Sequence, residues 1–593
     1  MIEEPLYDVV IIGAGVAGSI VAKYLTLAGC TVLVLEAGAA TASTFEGYAA
    51  HLQTFYGATS KGAESAWPPA AQAPQPDTAD LRSNNGYFVQ RGPQIYGSTY
   101  TRAQGGSTLH WLGVSLRMLP EDFKLHSEYG VGRDWPIGYD DLAPLYQKAE
   151  SELGVSADVK DQRYLGHRFP DDYDYPMQKV PLSYADQKLA ESVDGMTVTV
   201  DEKSIELKVR SYPAARNSIP RNGYRPIGAV DLRSAGPNEI TLGQRCAGNT
   251  SCTPICPIQA KYNAGKTLSQ ADFSKLHVLS QSVASKINID CRTGEVESIT
   301  YQQYNGSKRW VRQARGRRYV LAAHAVENAR LMLASGLTGS SNLIGKHLMD
   351  HPALYSWGLA PDPVYPFRGP LSTAGIEDLR GGGFRRKHAA FRYDIGNDGW
   401  RATTGAPDST VADLVSNQKL FGRRLRDELA STLSRQVRFS LAVEQLPDPG
   451  NRVEVDPGIV DSLGNPRPII HYKIDEYTLA GMTVAQQVCG KIFRQAGIQD
   501  STDHSKSNWF PSVNHGGQTF FYHGMGHFAG THVMGEDPQH SVVNRFQRSW
   551  DHRNLFLVGT GSFPTMGTSN PTLTLSALAI GTAEHLIAEL KEA

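Results

Sequence analysis

Six cysteines occur in 593 residues, and three of them, Cys246, Cys252 and Cys256, fall within eleven positions of the segment RCAGNTSCTPICPIQAKYN. The spacing C-x5-C-x3-C, in a loop punctuated by proline, lets three thiolates converge on one point. Three is one ligand short of a structural zinc site, and no histidine lies close enough in sequence to complete one. Thiolates are the usual ligands of iron–sulfur groups, and three of them suit a 3Fe-4S cluster. A metal-free packed loop, or one disulfide plus a free thiol, is the plainer reading of the same residues. Cys30, Cys291 and Cys489 are scattered and read as small hydrophobes. A second concentration is histidine: His515, His523, His527, His532, His540 and His552. By spacing alone His523, His527 and His532 could ligate a metal. No carboxylate falls at ligand spacing, however, and no HExxH is present. An imidazole here then serves as a structural hydrogen-bonder or as a proton acceptor.

A third constellation opens the chain. YDVVII (7–12) reads as a buried strand, GAGVAG supplies Gly13, Gly15 and Gly18 in the G-x-G-x-x-G spacing, and SIVAKYLTLAG reads as a helix ending at Gly29. TVLVLEAG follows as a second strand with Glu36 at its end. Gly13 permits the tight turn, Gly15 the approach of a pyrophosphate to the backbone, and Gly18 close packing of helix on strand. The helix N-terminus offers unpaired N–H groups to the phosphates. Glu36 can accept both ribose hydroxyls of an adenosine and would repel a 2′-phosphate, so NADP is disfavoured. The fingerprint alone does not separate NAD from FAD.

Further segments separate them. GGSTLHWLGVSLRMLPEDF, RRYVLAAHAVENARLMLASG with IGKHLMDHP, GHFAGTHVMG, and NLFLVGTGSFPTMGTSNPTLTLSALAIGTAEHL resemble the glucose–methanol–choline (GMC) oxidoreductase superfamily of FAD enzymes. The match runs in order from residue 7 to the C-terminus, with variable stretches near 40–85 and 355–440. It is closest to the flavoprotein subunits of bacterial fructose, gluconate and glucose dehydrogenases, with similarity to pyranose 2-oxidase.

The resemblance implies an α/β fold with a discontinuous Rossmann-like FAD-binding domain and a substrate-binding domain built on an antiparallel sheet. The expected division is 1–135 (first FAD part), 136–225 (connecting and substrate-domain segment), 226–345 (second FAD part, including the cysteine loop 246–256), 346–530 (substrate domain) and 531–593 (last FAD part). LFLVGTG and the helix after Pro571 read independently as a strand–glycine–helix anion site. VRFSLAVEQL and PIIHYKI read as strands that roof the flavin.

Alcohol oxidation by a flavin needs a base for the hydroxyl proton while a hydride passes to flavin N5, and a second polar group to hold the developing charge. The resemblance assigns the base to His527 and the second role to Asn570, which could equally cap the last helix ahead of Pro571. Gly13, Gly15, Gly18, Glu36, Gly105, Gly106, His110, Val283, Gly559, Gly561 and Thr572 are the implied cofactor contacts. His110 matches the histidine that carries the flavin covalently in pyranose 2-oxidase. Otherwise it would pack against or hydrogen-bond the ring. Cys246, Cys252 and Cys256 match the ligands of a 3Fe-4S cluster in the dehydrogenase subunits.

The expected activity is an FAD-dependent dehydrogenase of a sugar, sugar acid or polyol. Its electrons would leave through the cluster to a haem-bearing cytochrome c subunit or a quinone, and a small subunit would serve export; an independent soluble monomer or homodimer is the alternative. A peroxide-forming oxidase and a non-catalytic flavin-binding protein are the rival expectations.

Composition bounds these readings. Hydrophobic residues are 40% and charged residues 20%, ordinary for a soluble globular protein, and the length calls for two or more domains. A net charge of −1 gives no global field for nucleic acid or acidic membranes. The basic runs Arg385-Arg386-Lys387 and Arg423-Arg424-Leu425-Arg426 read as a solvated loop and a solvated helix face. No apolar run reads as a bilayer span, and the acidic N-terminus does not read as a signal peptide. The expected location is therefore cytoplasmic, or the periplasmic face if a partner carries the protein out.

Overall fold

A computed structural model of the chain describes residues 5–58, 66–77, 80–234, 241–248, 252–400, 408–502 and 510–592. Residues 249–251 of the cysteine loop lie outside the described residues. The elements that position the site are, in chain order, β1 (Leu6–Ile12), α1 (Val16–Leu27), β2 (Val32–Leu35), α2 (Tyr139–Leu153), β3 (Val209–Ser211), α3 (Ala264–Leu268), β4 (Leu276–Leu279), β5 (Ser282–Ile289), β6 (Val296–Asn305), β7 (Lys308–Leu321) and α4 (Ala325–Ala334). After these come β8 (Pro352–Leu359), β9 (Ala374–Ile376), β10 (Phe391–Gly396), β11 (Gln436–Val443), α5 (Glu476–Gln495), β12 (Ser512–His515), β13 (Gln518–Gly524), β14 (Leu555–Leu557) and α6 (Thr572–Glu592).

Two sheets organise the molecule. The first runs β4-β2-β1-β7-β6-β5, with β14 beside β7. β4, β2, β1, the last part of β7 and β14 are parallel neighbours, and β2, β14 and the C-terminal ends of β1 and β7 are apolar and buried, as strands covered on both faces must be. β7 serves two purposes. Its second half pairs with β1 from Leu6↔Arg315 to Ile12↔Leu321, while its first half forms an antiparallel ribbon with β6. Strands from residues 6, 32, 276 and 555 onward thus share one sheet, and the chain leaves and re-enters it as a discontinuous dinucleotide-binding fold requires.

The second sheet is antiparallel, in the order β12-β13-β8-β11-β10-β9-β3, with Gln499–Asp500 paired to β8. Its apolar side packs on α5 in a hydrophobic cluster distinct from that of the first sheet. VRFSLAVEQL joins it as β11. PIIHYKI does not: Ile469–His471 pairs with Arg452–Glu454 and Val89–Gln90 in a separate three-stranded sheet. A short apolar run signals a strand but not its partners.

α6 is long and apolar enough to cross a membrane by composition, yet it packs against α1 and α2 and most of it is buried. The basic run at 423–426 lies largely exposed on a helix, as its charge suggests. Arg385 departs from expectation. It is fully buried and donates to Glu121, and to Glu444 through its other terminal nitrogen, with Asp122 2.9 Å away. Three acids converge there from two segments, 121–122 and 444, distant from each other in the chain, and no local pattern reveals them. Cys291 also departs, lying exposed in a turn, while Cys489 is buried in α5.

Candidate active site

One cavity of about 890 Å³ runs between the two sheets, at the large end of the range for small-molecule sites. Its walls include Gly13, Gly15, Glu36, Gly106, His110, Val283, Gly559 and Thr572 from the first sheet and its loops, and His527 and Asn570 beneath the second. Gly18, Gly105 and Gly561 stand behind the wall. A Cβ at Gly18 would meet the Gly13 carbonyl at 2.0 Å, and one at Gly561 would meet His532 Nε2 at 2.2 Å, so both permit close packing. Gly105, at φ 106°, donates its N–H to Ala14 O at 3.1 Å and so ties the glycine pair to the first turn.

At one end, Gly13 has φ 103°, and a Cβ there would lie 2.6 Å from Ala322 O. Gly15 caps α1 without a side-chain bond, and nothing lies within 4 Å of where its Cβ would be. That open space over an uncapped helix N-terminus suits a phosphate. Glu36 is 5% exposed; Oε2 accepts from Ala14 N and Oε1 from Gly38 N, both at 2.8 Å. Burial pushes its carboxyl up, against those two bonds and the nearby Arg102 guanidinium. Each oxygen keeps a lone pair for a ribose hydroxyl. Ser282 N donates to Glu36 O, which sets Val283 beside it. These donors, acceptors and voids fit FAD.

At the other end, His527 Nε2 lies 3.3 Å from Asn570 Nδ2, and His527 Nδ1 lies 2.8 Å from His351 Nδ1. Arg392 Nη2 donates to Asn570 Oδ1 at 3.0 Å. Burial holds the His527 imidazole well below its usual range, and His351, Arg392 and His523 add to the effect. Asp350 anchors the backbone here: Oδ1 accepts from His527 N at 3.0 Å and from His351 N at 2.7 Å, and Oδ2 accepts from Ser98. Asp350 and His351 sit in the quoted HLMDHP, yet their roles were not read from it. Arg392 was missed as well. It alternates with Asp394 along β10, opposite the buried Phe391, Tyr393 and Ile395, and that period-2 charge pattern was its signal.

Of the remaining histidines expected from the sequence, His523 and His110 also line the cavity and the others lie away from it. His523 stacks on Tyr355 with ring centroids 4.2 Å apart, His532 is buried against Asn328, His515 pairs with Glu476, and His540 pairs with Asp537. His552 Nδ1 donates to Gly294 O. His110 bonds Thr101 Oγ1 through Nδ1 at 3.3 Å; burial pulls its pKa down to about 4, helped by Lys261.

The cysteine loop abuts this cavity: Thr253, between Cys252 and Cys256, lines it beside Trp111. All three thiols are free, with Cys252 and Cys256 buried. Burial raises the Cys246 thiol, and the neighbouring Cys256 and Cys252 add to this, while Arg216 and the Gly248 N–H oppose it. Among the described residues no three of His, Cys, Asp and Glu stand at metal-ligand spacing, so the thiols as placed do not close on one ion. Their surroundings are nonetheless cationic. Arg216, Lys261 and Lys266 are 2%, 3% and 3% exposed, and among the described residues none has a carboxylate partner. Arg216 donates to Leu112 O and Ser372 O, Lys261 to Trp111 O and Cys252 O, and Lys266 to Ile227 O. Burial pulls Lys261 down to about 8 and Lys266 to about 7, with the thiols opposing. Buried cations without acids are costly, and an anionic thiolate-held group would offset them. By charge and donor type, the loop suits such a group.

Comparison with known proteins agrees with this architecture. The family described as GMC oxidoreductase matches residues 188–353 and 447–579, together about half of the chain, and that described as FAD dependent oxidoreductase matches residues 8–126. The chain is 29% identical to the fructose dehydrogenase large subunit of Gluconobacter japonicus, over 99% of this chain and 98% of the relative. It is 22% identical to the gluconate 2-dehydrogenase flavoprotein of Pantoea cypripedii, over 98% and 93%. The crystal structure of pyridoxine 4-oxidase from Mesorbium loti shares the fold, with a TM-score of 0.60 at 16% identity over 98% of this chain and 99% of that one. With the cavity, the glycine turn and the paired sheets, these matches show that the chain belongs to the GMC oxidoreductase family of FAD-dependent enzymes.

Proposed function

We propose that the protein is an FAD-dependent dehydrogenase that oxidises a hydroxyl of a sugar, sugar acid or related polyol. One observation carries the reading: a neutral imidazole and a carboxamide, both part-buried and at hydrogen-bond distance, share one cavity with a dinucleotide-binding turn. Similarity to the fructose and gluconate enzymes supports the substrate class.

Gly13, Gly15, Glu36, Gly106, Val283, Gly559 and Thr572 would hold FAD, with His110 attached to it or hydrogen-bonded against it. Bound FAD supplies the hydride acceptor. His527 takes the hydroxyl proton, and the Asn570 amide donates to the same oxygen as negative charge gathers there. Arg392 keeps that amide oriented.

Cys246, Cys252 and Cys256 would ligate a 3Fe-4S group, which supplies one-electron chemistry beside the cavity. The relative's description as a large subunit supports a multi-subunit enzyme. We assign a cytochrome c subunit as acceptor and a small subunit as export partner, which would deliver the protein to the periplasmic face.

Anaerobic mixing of the purified protein with a panel of polyols, followed by flavin absorbance, tests the reading. Bleaching by a sugar or polyol, with dye reduction under argon faster than oxygen consumption in air, is the expected result. Peroxide formation at the same rate would make it an oxidase. No bleaching by any alcohol would leave a flavin-binding protein without this chemistry. Yellow colour that stays with acid-precipitated protein tests the His110 bond.

A further inference from the structure

We infer that His351 selects which nitrogen of His527 is bare, and so makes it a base on the cavity side; this rests on the proposed role of His527. His351 Nε2 lies 2.8 Å from Gly567 O. A carbonyl only accepts, so the proton of His351 sits on Nε2. His351 is fully buried, and burial pulls it down to about 3 with Arg392 and Arg380 adding to the effect, so the ring is neutral and its Nδ1 is bare. His527 Nδ1, 2.8 Å away, must therefore donate to it. In a neutral His527 that leaves Nε2 with a lone pair.

The other side of His527 agrees independently. Arg392 has only donors, so its bond fixes the Asn570 amide with oxygen toward the guanidinium and Nδ2 toward His527. Nδ2 can only donate, and it faces His527 Nε2 at 3.3 Å, where a bare nitrogen receives it until a substrate hydroxyl comes between them. Two chains of hydrogen bonds, from the Gly567 carbonyl and from the Arg392 guanidinium, meet at one imidazole and demand the same tautomer.

During turnover the substrate O–H bond would break and its proton bond to Nε2. The imidazolium so formed keeps Nδ1–H on an acceptor already in place. His351 thus does with a neutral ring what a carboxylate does in other histidine bases, while Asp350 nearby is committed to the backbone of both histidines. His351 is a positioning residue: it acts through His527.

Nitrogen-15 NMR of the wild-type holoenzyme with labelled histidine, assigned against the His527→Gln protein, reads the tautomer directly. A protonated Nδ1 and bare Nε2 on His527 are expected; a proton on Nε2 would overturn the inference whatever the fate of turnover. His351→Leu and His351→Asn then separate positioning from packing. Anaerobic flavin reduction in His351→Leu should fall on the order of 10²-fold, short of the ~10⁴-fold that follows loss of a charged partner. FAD content and substrate affinity should hold. His351→Asn retains an acceptor and should lose under about 10-fold. Equal losses in both variants would contradict the inference. Full activity in His527→Ala would instead sink the base reading and leave the NMR result to stand alone.

Discussion

The base pocket and the cysteine loop lie against the same cavity and balance charge in opposite ways. Around His527, Arg392 has Asp394 beside it, Asp350 is bonded to two backbone N–H groups and to Ser98, and both imidazoles are neutral. Its hydrogen bonds close without any added ion. Around Cys252 and Cys256, Lys261, Lys266 and Arg216 rest, among the described residues, on carbonyl oxygens alone. The first region is complete as a protein and needs only substrate and FAD. The second is charged as though an anion belonged in it.

Breaking the second region first gives the largest effect. Cys252→Ser should abolish bound iron and acid-labile sulfide while FAD content stays unchanged. Unchanged iron in that variant would remove the cluster from the account. In the first region, Asn570→Ala should slow anaerobic flavin reduction by about 10²–10³-fold, the cost of one donor aimed at developing charge. An unchanged rate would reduce Asn570 to a helix cap.

A pH profile sharpens the same point. With the His527 imidazole held well below its usual range, the rate of flavin reduction should stay flat above about pH 6.5 and fall only on the acid side of it. The base is active when unprotonated, and the lowered pKa moves its loss to lower pH. A midpoint above pH 7 would conflict with this. The smallest effect compares the regions directly: Lys266→Met should raise the melting temperature of iron-free protein by ~2–4 °C, because an uncompensated buried charge is removed. It should not do so in iron-loaded protein.

The first sheet was legible because its signals are local: YDVVII, GAGVAG and the final helix each carry their own periodicity and turn residues. Likewise Gly15, Glu36, His527 and Asn570 each sit in a motif that announces itself. What stayed hidden depends on distant partners. Arg385 looked like a surface cation until Glu121 and Glu444 met it, PIIHYKI found strands other than those expected, and Arg392 reached Asn570 across 178 residues. Charge compensation of this kind is a property of the folded molecule and leaves no spacing in the sequence.

The account depends most on one proton transfer. Stopped-flow reduction of the flavin in His527→Ala, under argon with a substrate that reduces the wild type, measures it directly. The account predicts a protein that keeps its FAD and its substrate affinity while flavin reduction slows by about 10²–10⁴-fold. A variant that bleaches as fast as wild type would contradict it.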